Sequence, residues 1–310
     1  MTVGAWQTPS GARPNRGASE GGPPELPGRS LDPAGNSRAR GMVIVLKLTG
    51  RLRETEPGLR PALTYLQDPP LPIPSRFSAM KMSQDAGFPE NAAFVIGAGH
   101  FGARAVRLFV SRLNWPMWVV DSDEKRLAQL EGNSVRTFLG EGIDFITENF
   151  DRFHPSNLIV PAIPLHLASE WLKTCSPTSL LIKSREAPAE IKPLVPFAWD
   201  GRDGDLLVSH ADFRCPDDCP EPEGYCTVTR KSRAMPLHRL LENIQVTGYR
   251  VHILESRQLA PGVGGYRVED LRQLYDRVRR RGRGRWLVGT ACKCHGVVTA
   301  VEVEPRGDIS

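Results

Sequence analysis

Six consecutive residues with the sequence Gly-Ala-Gly-His-Phe-Gly have the glycine spacing of a loop that binds the pyrophosphate of a dinucleotide. Gly97 allows a tight turn, Gly99 lets the backbone approach the pyrophosphate, and Gly102 lets the next helix pack closely on the strand. The helix N-terminus offers free N–H groups and a positive dipole end to the phosphates. The motif predicts a dinucleotide site, with His100 and Phe101 in the loop beside the phosphates.

One carboxylate stands where it would select the cofactor. Asp121 lies 19 residues after Gly102, at the end of the apolar run 117–120. A carboxylate there accepts hydrogen bonds from the adenosine ribose hydroxyls and would repel a 2′-phosphate. The sequence therefore favours NAD(H) over its phosphorylated form. The alternative is a glycine-rich turn that binds no ligand.

Five of the six cysteines fall in two tight groups, with the spacings C-x3-C-x6-C and C-x-C-H. They are Cys215, Cys219, Cys226, Cys292 and Cys294. Neighbouring thiolates repel one another unless a cation or a bond joins them, so the groups predict a shared metal, either zinc or an iron–sulfur cluster. A shared metal would bring residue 215 beside residue 294. A disulfide, redox-active or structural, and unlinked thiols are the alternatives.

The elements around the glycine motif alternate between apolar runs and helical patterns. The apolar runs are 92–96, 117–120, 135–139, 158–160 and 180–182. Strands that alternate with helices predict an α/β fold with a doubly wound parallel Rossmann sheet. The less regular region from 200 to 310 predicts a smaller α/β domain that carries the cysteine cluster. Within it, the glycine-rich stretch 261–266 predicts a mobile loop.

The chain divides into three predicted regions: 1–84, a Rossmann domain at 90–185, and a cysteine-rich α/β domain at 200–310. The first is rich in glycine and proline and poor in large apolar residues, which predicts disorder. We interpret it alternatively as a mistaken extension upstream of the true start, with Met80 or Met82 as that start.

Charge and hydropathy exclude several classes of protein. Residues 1–84 hold 11 basic and 6 acidic residues, while the other 226 residues hold 29 of each. A globular part without net charge argues against nucleic-acid binding, which needs a basic surface. No apolar run approaches the length of a membrane span, and no secretion signal is evident. The expected location is cytoplasmic.

Three blocks of sequence resemble a known family of dinucleotide-binding domains. They read Val-Ile-Gly-Ala-Gly-His-Phe-Gly at 95–102, Val-Val-Asp-Ser-Asp-Glu-Lys-Arg-Leu at 119–127, and Leu-Gly-Glu-Gly at 139–142. Over about residues 92–175 the chain resembles the TrkA-N, or RCK N-terminal, domain. The resemblance implies an NAD(H)-binding regulator of potassium transport, with Glu141 near the adenine side of the ligand and homodimerisation.

Two functions follow from these patterns. The first is an NAD(H)-binding regulatory or sensor protein whose cysteine site, a metal or redox site, couples dinucleotide binding to a protein partner. The second is an NAD-dependent oxidoreductase that uses an iron–sulfur cluster or redox thiols. The sequence leaves open whether the protein is an enzyme.

Overall fold

A computed structural model describes residues 87–112, 115–130, 135–176 and 179–306. All of these residues belong to one compact unit. The predictions for residues 1–84 lie outside the described residues. The α/β class predicted from the alternating pattern is confirmed.

Twelve strands and six helices occur in the described residues. The strands are β1 (Ala93–Ile96), β2 (Met117–Asp121), β3 (Arg136–Leu139), β4 (Leu158–Pro161), β5 (Leu180–Arg185), β6 (Phe197–Asp200), β7 (Leu206–Ser209), β8 (Tyr249–Glu255), β9 (Arg257–Ala260), β10 (Val263–Arg267), β11 (Gly284–Ala291) and β12 (His295–Pro305). The helices are α1 (His100–Arg112), α2 (Glu124–Ala128), α3 (Gly142–Asn149), α4 (Leu167–Thr174), α5 (Leu237–Glu242) and α6 (Val268–Arg281), with 3-10 turns at Phe150–Arg152 and Ala189–Leu194.

The first sheet has the strand order β3-β2-β1-β4-β10-β9. Strands β1 to β4 all run parallel. Strands β2 and β3 are added on one side of β1 and β4 on the other side, so the order in which strands are added reverses between β1 and β4. This order is that of the first half of a Rossmann fold, in which ligands bind at the carboxyl edge where the order reverses. Strands β1, β2 and β4 are almost entirely apolar because helices cover both faces: α1 and α2 pack on one, α3 and α4 on the other. The edge strand β3 is largely exposed.

The prediction of a mobile loop at 261–266 is wrong, because these residues form the turn and the second strand of the β9–β10 hairpin. Strand β10 pairs antiparallel with β4, and Val263 and Tyr266 are buried. The glycines serve close packing here rather than mobility, because a Cβ on Gly265 would lie 2.6 Å from the carbonyl oxygen of Ile159. The hairpin turn therefore sits at the carboxyl edge of the parallel strands.

The second sheet has the order β6-β7-β12-β11-β8, and β5 pairs with the far end of β12. The run 180–182 thus forms a strand as predicted, but it pairs antiparallel in this sheet and does not extend the Rossmann sheet. The predicted domain boundary between 185 and 200 falls between β5 and β6, which both belong to the second sheet. Helices α4 and α6 lie between the two sheets and share one apolar core with them.

Candidate functional site

The glycine loop, residues 97–102, has the backbone geometry that the spacing of its glycines predicts. Gly97 has a φ of 103°, and a Cβ there would lie 2.7 Å from the carbonyl oxygen of Ala162. A Cβ on Gly102 would lie 1.8 Å from the carbonyl oxygen of Gly97, so the helix packs on the loop without room for any side chain. A Cβ on Gly99 would meet no atom within 4 Å. The space above Gly99 is therefore open.

Helix α1 points its N-terminus at that open space. It begins at His100, and the first backbone hydrogen bond at this end runs from the Ala103 N–H to the Gly99 carbonyl at 2.9 Å. The first turn contains no acidic side chain. Phe101 is half-buried, and His100 is exposed. Free N–H groups in a first turn that holds no carboxylate of its own are suited to an anionic ligand.

Asp121 stands at the carboxyl end of β2, as predicted. Its Oδ2 accepts a hydrogen bond from the Ala98 N–H at 2.5 Å, and its Oδ1 accepts one from the Asp123 N–H at 2.8 Å. The carboxylate is thus tied to the glycine loop itself. Leu139 pairs with Asp121 across β2 and β3, and its side chain is 55% exposed. Glu141 is exposed at the start of α3 and makes no capping hydrogen bond.

The two cysteine groups meet, although about 70 residues separate them. Residues 210–235 fold over the β11–β12 turn, where the His210 N–H donates to the Cys294 carbonyl at 2.8 Å. Cys215 Sγ lies 3.3 Å from His295 Nε2, and Cys219 Sγ lies 3.6 Å from the hydroxyl of Thr227. From the sequence, we expected residue 215 to lie beside residue 294 if the two cysteine groups shared a metal. In the structure these two segments do lie beside each other.

Arg233 lies among these thiols. Its guanidinium donates hydrogen bonds to Cys294 Sγ and to the carbonyl of Pro222, and it also interacts electrostatically with Cys215 and Cys226. Nothing in the spacing of the cysteines pointed to this residue. Within the described ranges, no group of three or more His, Cys, Asp or Glu side chains is arranged to hold a metal ion.

The protonation of the thiols differs with their surroundings. Burial raises the pKa of Cys215 and Cys294 to about 12; neighbouring thiols and Glu221 act in the same direction, and Arg233 acts in the opposite one. Burial, followed by the carboxylate of Glu221, also raises the pKa of Cys292 well above its usual value. Burial acts to raise the pKa of Cys226 also, but hydrogen bonds from residues 228 and 229 lower it overall. Cys215, Cys292 and Cys294 are thus protonated at neutral pH unless a cation binds.

The cysteine loop, residues 215–226, contacts the glycine loop. His100 Nε2 lies 3.1 Å from Asp217 Oδ2, and the two side chains are 64% and 32% exposed. The loop is anchored on the β9–β10 hairpin, because Cys219 accepts hydrogen bonds through its carbonyl from the Gln258 side chain at 2.7 Å and from the Gly262 N–H at 3.2 Å. Nothing in the motifs of the sequence pointed to a role for Asp217.

Gly262 makes this docking possible. Its φ is 72°, and a Cβ there would lie 1.6 Å from the carbonyl oxygen of Asp217. Arg104 of helix α1 donates a hydrogen bond to the carbonyl of Pro261 at 3.2 Å, on the other side of the same turn. The turn therefore joins the Rossmann sheet to the cysteine loop. In the sequence, the pair Pro261-Gly262 was the signal for a turn at this junction.

His166 is a structural residue. It is buried, and its two ring nitrogens lie 2.7 Å from the hydroxyl of Thr299 and 2.9 Å from that of Thr290. These hydrogen bonds join the start of α4 to the second sheet. The side chain therefore does not face the glycine loop, where it could have exchanged a proton with a nicotinamide.

We expect His166 to make the fold sensitive to acid. Burial lowers the pKa of His166 from 6.5 to about 3, so the folded protein keeps the ring neutral where the unfolded chain protonates it. Its contribution to stability is complete above pH 6.5 and is lost as the pH falls toward 3. In His166→Gln, the slope of unfolding free energy against pH should shrink by about 1.4 kcal/mol per unit in this window. Urea unfolding from pH 4 to 7 measures the slope.

The matched control is His154→Gln, at a partly exposed histidine. Asp205, which accepts a hydrogen bond from Thr299, acts with the opposite sign, because burial raises its pKa from 3.8 to about 6. That contribution is present in both variants. Equal slopes for His166→Gln and the unsubstituted protein would contradict the assignment.

The parallel sheet, the glycine loop and the thiol cluster define an α/β protein with a Rossmann-type cleft and a cysteine-rich second layer. The model of the family AF_1314_C, described as "Uncharacterized protein, C-terminal domain", matches residues 165–304. A protein of Archaeoglobus fulgidus, described as "Uncharacterized protein", is 30% identical over 220 residues, which cover 67% of this chain and 98% of the relative. The chain belongs to this family. No solved structure matches it.

These comparisons correct the resemblance drawn from the glycine motif. The family found is that of the C-terminal domain, and no TrkA-N or RCK family is found. The three sequence blocks that carried the resemblance lie before residue 143, and the first two are features that many Rossmann proteins share. The assignment to the TrkA-N or RCK family is therefore wrong for this chain, and the role in potassium transport, homodimerisation and the adenine-side role of Glu141 lose the basis that the resemblance gave them.

None of the described helices is both long and apolar enough to cross a bilayer.

Proposed function

We propose that the protein binds NAD(H) at the glycine loop and transmits the binding to the cysteine loop, as a sensor of the dinucleotide. One observation carries the link between the two: the contact of 3.1 Å between His100 Nε2 and Asp217 Oδ2. His100 belongs to the loop that would hold the pyrophosphate. Asp217 lies between two of the cysteines.

Several features support dinucleotide binding. The space above Gly99 is open, the N-terminus of α1 carries no acidic side chain, and Asp121 stands at the end of the adjacent strand. The exposed Leu139 offers an apolar surface beside Asp121, on the side of the sheet where an adenine would lie. A carboxylate at Asp121 favours the cofactor without a 2′-phosphate, which is NAD(H).

The link works by competition between two anions. In the free protein, the His100 side chain contacts the carboxylate of Asp217. A bound pyrophosphate brings negative charge to the same loop, and the His100 imidazole can donate a hydrogen bond to only one partner from Nε2. Dinucleotide binding therefore loosens the cysteine loop from the glycine loop, and the thiols of that loop react differently toward solvent.

The test is the rate of thiol alkylation with and without NADH. We expect NADH to change the iodoacetamide labelling rate of Cys226, a half-buried thiol with a lowered pKa, by about threefold or more. In Asp217→Asn the rate should no longer respond to NADH, while the affinity for NADH stays within about threefold. Asp218→Asn, which removes the neighbouring exposed carboxylate, should respond as the unsubstituted protein does.

The first half of the proposal, that the protein binds NAD(H), is tested by a variant of Asp121, the proposed ribose contact. Asp121→Ala removes the carboxylate that would accept the ribose hydroxyls, and hydrogen bonds to a charged group contribute about 1.5–3 kcal/mol each. We expect NADH affinity to fall at least about tenfold by titration calorimetry. Asp276→Ala, on the distant helix α6, is the control. An unchanged affinity in Asp121→Ala would contradict the proposed site.

A second candidate function is an NAD-dependent oxidoreductase. The observation that favours it is the position of the cysteine loop on the β9–β10 turn, at the carboxyl edge beside β4. In Rossmann folds the half of the ligand beyond the pyrophosphate crosses to that side. A UV–visible spectrum of the full chain, purified without oxygen, decides: a charge-transfer band that bleaches with NADH supports the oxidoreductase. NADH binding without bleaching supports the sensor.

A further inference from the structure

One edge of the second sheet lies open in a cleft. Strand β8 is the last strand of that sheet, and among the described strands it pairs only with β11, to which it runs parallel. The cleft along its other side has a volume of about 470 Å³, which is typical of ligand sites, and residues 251–255 of β8 line it. An edge strand leaves some of its backbone N–H and C=O groups without partners in the sheet. The cleft therefore offers main-chain hydrogen bonds to a ligand.

Two helices form the walls of this cleft. Helix α5 packs on one face of β8 and α6 packs on the other, each through apolar side chains. Polar side chains of both helices line the opening: Arg239 and Glu242 from α5, and Asp270, Gln273 and Arg277 from α6. Arg239 and Glu242 form an ion pair with each other at 2.9 Å. A ligand in the cleft would thus meet polar side chains on both sides and the strand edge between them.

A buried histidine in the cleft lacks a hydrogen-bond partner. His252 is 8% exposed, it lines the cleft, and neither of its ring nitrogens bonds to another described residue. Burial, with a smaller contribution from Arg277, lowers the pKa of His252 to about 4, so the ring is neutral at pH 7. A neutral imidazole carries one donor and one acceptor, and buried polar groups are almost always paired in folded proteins. A ligand would supply the missing partner.

The charges that line the cleft are separated along its length. At the carboxyl end of β8, Arg257 pairs with Asp270 at 2.9 Å and with Glu255 at 3.5 Å, so two carboxylates share one guanidinium. Arg277 lies two turns after Asp270, about 10 Å along the axis of α6. Its charge acts on His252, and no acidic side chain among the described residues pairs with it. The cleft therefore has an acidic end and a basic end.

We propose that this cleft binds the carboxyl-terminal end of an extended peptide, which adds to the edge of β8 as an antiparallel strand with its terminal carboxylate on Arg277. Added strands bind through main-chain hydrogen bonds, and a guanidinium suits a carboxylate because it donates two parallel hydrogen bonds. The direction of the peptide follows from the charges, since its last residue lies beside His252 and its earlier residues run toward Glu255. The inference goes beyond the proposed function, because it concerns a second ligand.

The acidic end of the cleft favours a basic side chain in the peptide. An extended strand advances about 3.3 Å per residue, so three residues span the separation of Arg277 and Asp270 along α6. A lysine three residues before the last residue therefore reaches Glu255 and Asp270, which carry one negative charge more than Arg257 balances. The expected ligand is a peptide end with a free carboxylate and a basic residue at the fourth position from the end.

Calorimetric titration of the full chain, without NADH, is the first measurement. The probes are acetyl-Lys-Thr-Val-Thr and acetyl-Lys-Ser-Ile-Ser, each with a free carboxylate and each also as the carboxyl-terminal amide. We expect both acids to bind at one peptide per chain with a Kd below about 1 mM, and amidation to weaken binding at least about tenfold. Failure of both acids to bind would mean that the charges only protect the sheet edge from pairing, and it overturns the inference.

A thermodynamic cycle tests the contact between Arg277 and the carboxylate. In Arg277→Gln, the affinity for the acids should fall at least about tenfold, while the affinity for the amides should change less than about twofold. Arg279→Gln, on the same helix but outside the lining of the cleft, is the matched control and should bind both forms as the unsubstituted protein does. Both arginines are exposed, so neither variant alters the core. Equal losses for acid and amide in Arg277→Gln would contradict the contact.

Hydrogen exchange distinguishes strand addition from binding to the charges alone. Saturation with acetyl-Lys-Thr-Val-Thr should slow the exchange of the backbone amides of residues 251–255 that face the cleft at least about tenfold. Strand β6 forms the opposite edge of the same sheet and is the internal control, because its exchange should not change. Unchanged exchange in β8 with the peptide bound overturns the antiparallel strand.

Discussion

Replacement of Gly99 by valine is expected to abolish NADH binding while the protein keeps its fold. The reason lies in the space above this residue, because a Cβ on Gly99 would meet no atom of the protein within 4 Å. The same space is the one that a pyrophosphate would occupy on the N-terminus of α1. A branched side chain there excludes the ligand without touching the protein.

The effect should be at least about 100-fold in affinity, which corresponds to about 2.7 kcal/mol. Titration calorimetry with NADH measures it, and thermal unfolding of the ligand-free protein is the control, with a Tm within about 2 °C of the unsubstituted chain. Full NADH affinity in Gly99→Val would remove the glycine loop as the phosphate site.

Gly102→Ala is expected to unfold much of the protein. Gly102 lies inside helix α1, where the exchange of glycine for alanine ordinarily stabilises a helix by about 1 kcal/mol. The local packing reverses that sign, since the new Cβ would lie 1.8 Å from the carbonyl oxygen of Gly97. A backbone atom cannot yield as the end of a side chain can, so we expect a loss of at least about 3 kcal/mol.

Urea unfolding of the ligand-free protein measures this loss. Gly99→Ala is the matched control in the same loop, and its stability should change by less than about 0.5 kcal/mol. The two variants add the same methyl group three residues apart, and helix preference would stabilise only Gly102→Ala, so a loss of stability in that variant reports the packing. If Gly102→Ala were as stable as Gly99→Ala, the close approach of helix and loop would be incorrect.

The sequence by itself determined the parallel half of the first sheet and its glycine loop. Buried parallel strands need continuous apolar runs, and a pyrophosphate loop needs glycines at fixed spacing, so both constraints are local and can be recognised in one stretch of chain. The position of Asp121 follows from the same local rules. The family to which the chain belongs did not follow from them, because many Rossmann-type loops share this pattern.

Only the tertiary structure decided where β5, β9 and β10 belong. Strand β5 pairs with β12 of the second sheet, and β10 pairs with β4 across a hundred residues of chain. Strand pairing between distant segments depends on packing of both faces and not on local propensity. The glycines at 264 and 265 suggested mobility in the sequence, but in the fold Gly265 allows two backbones to approach.

The tertiary structure also decided what surrounds the cysteines. The sequence determined that five thiols lie in two groups, and chemistry alone then favoured a cation between them. Arg233 donates a hydrogen bond to Cys294, Glu221 lies beside Cys292, His295 lies against Cys215, and Asp217 brings the loop against His100. These contacts join residues far apart in the chain, and their energies depend on burial and distance, which only the folded protein sets.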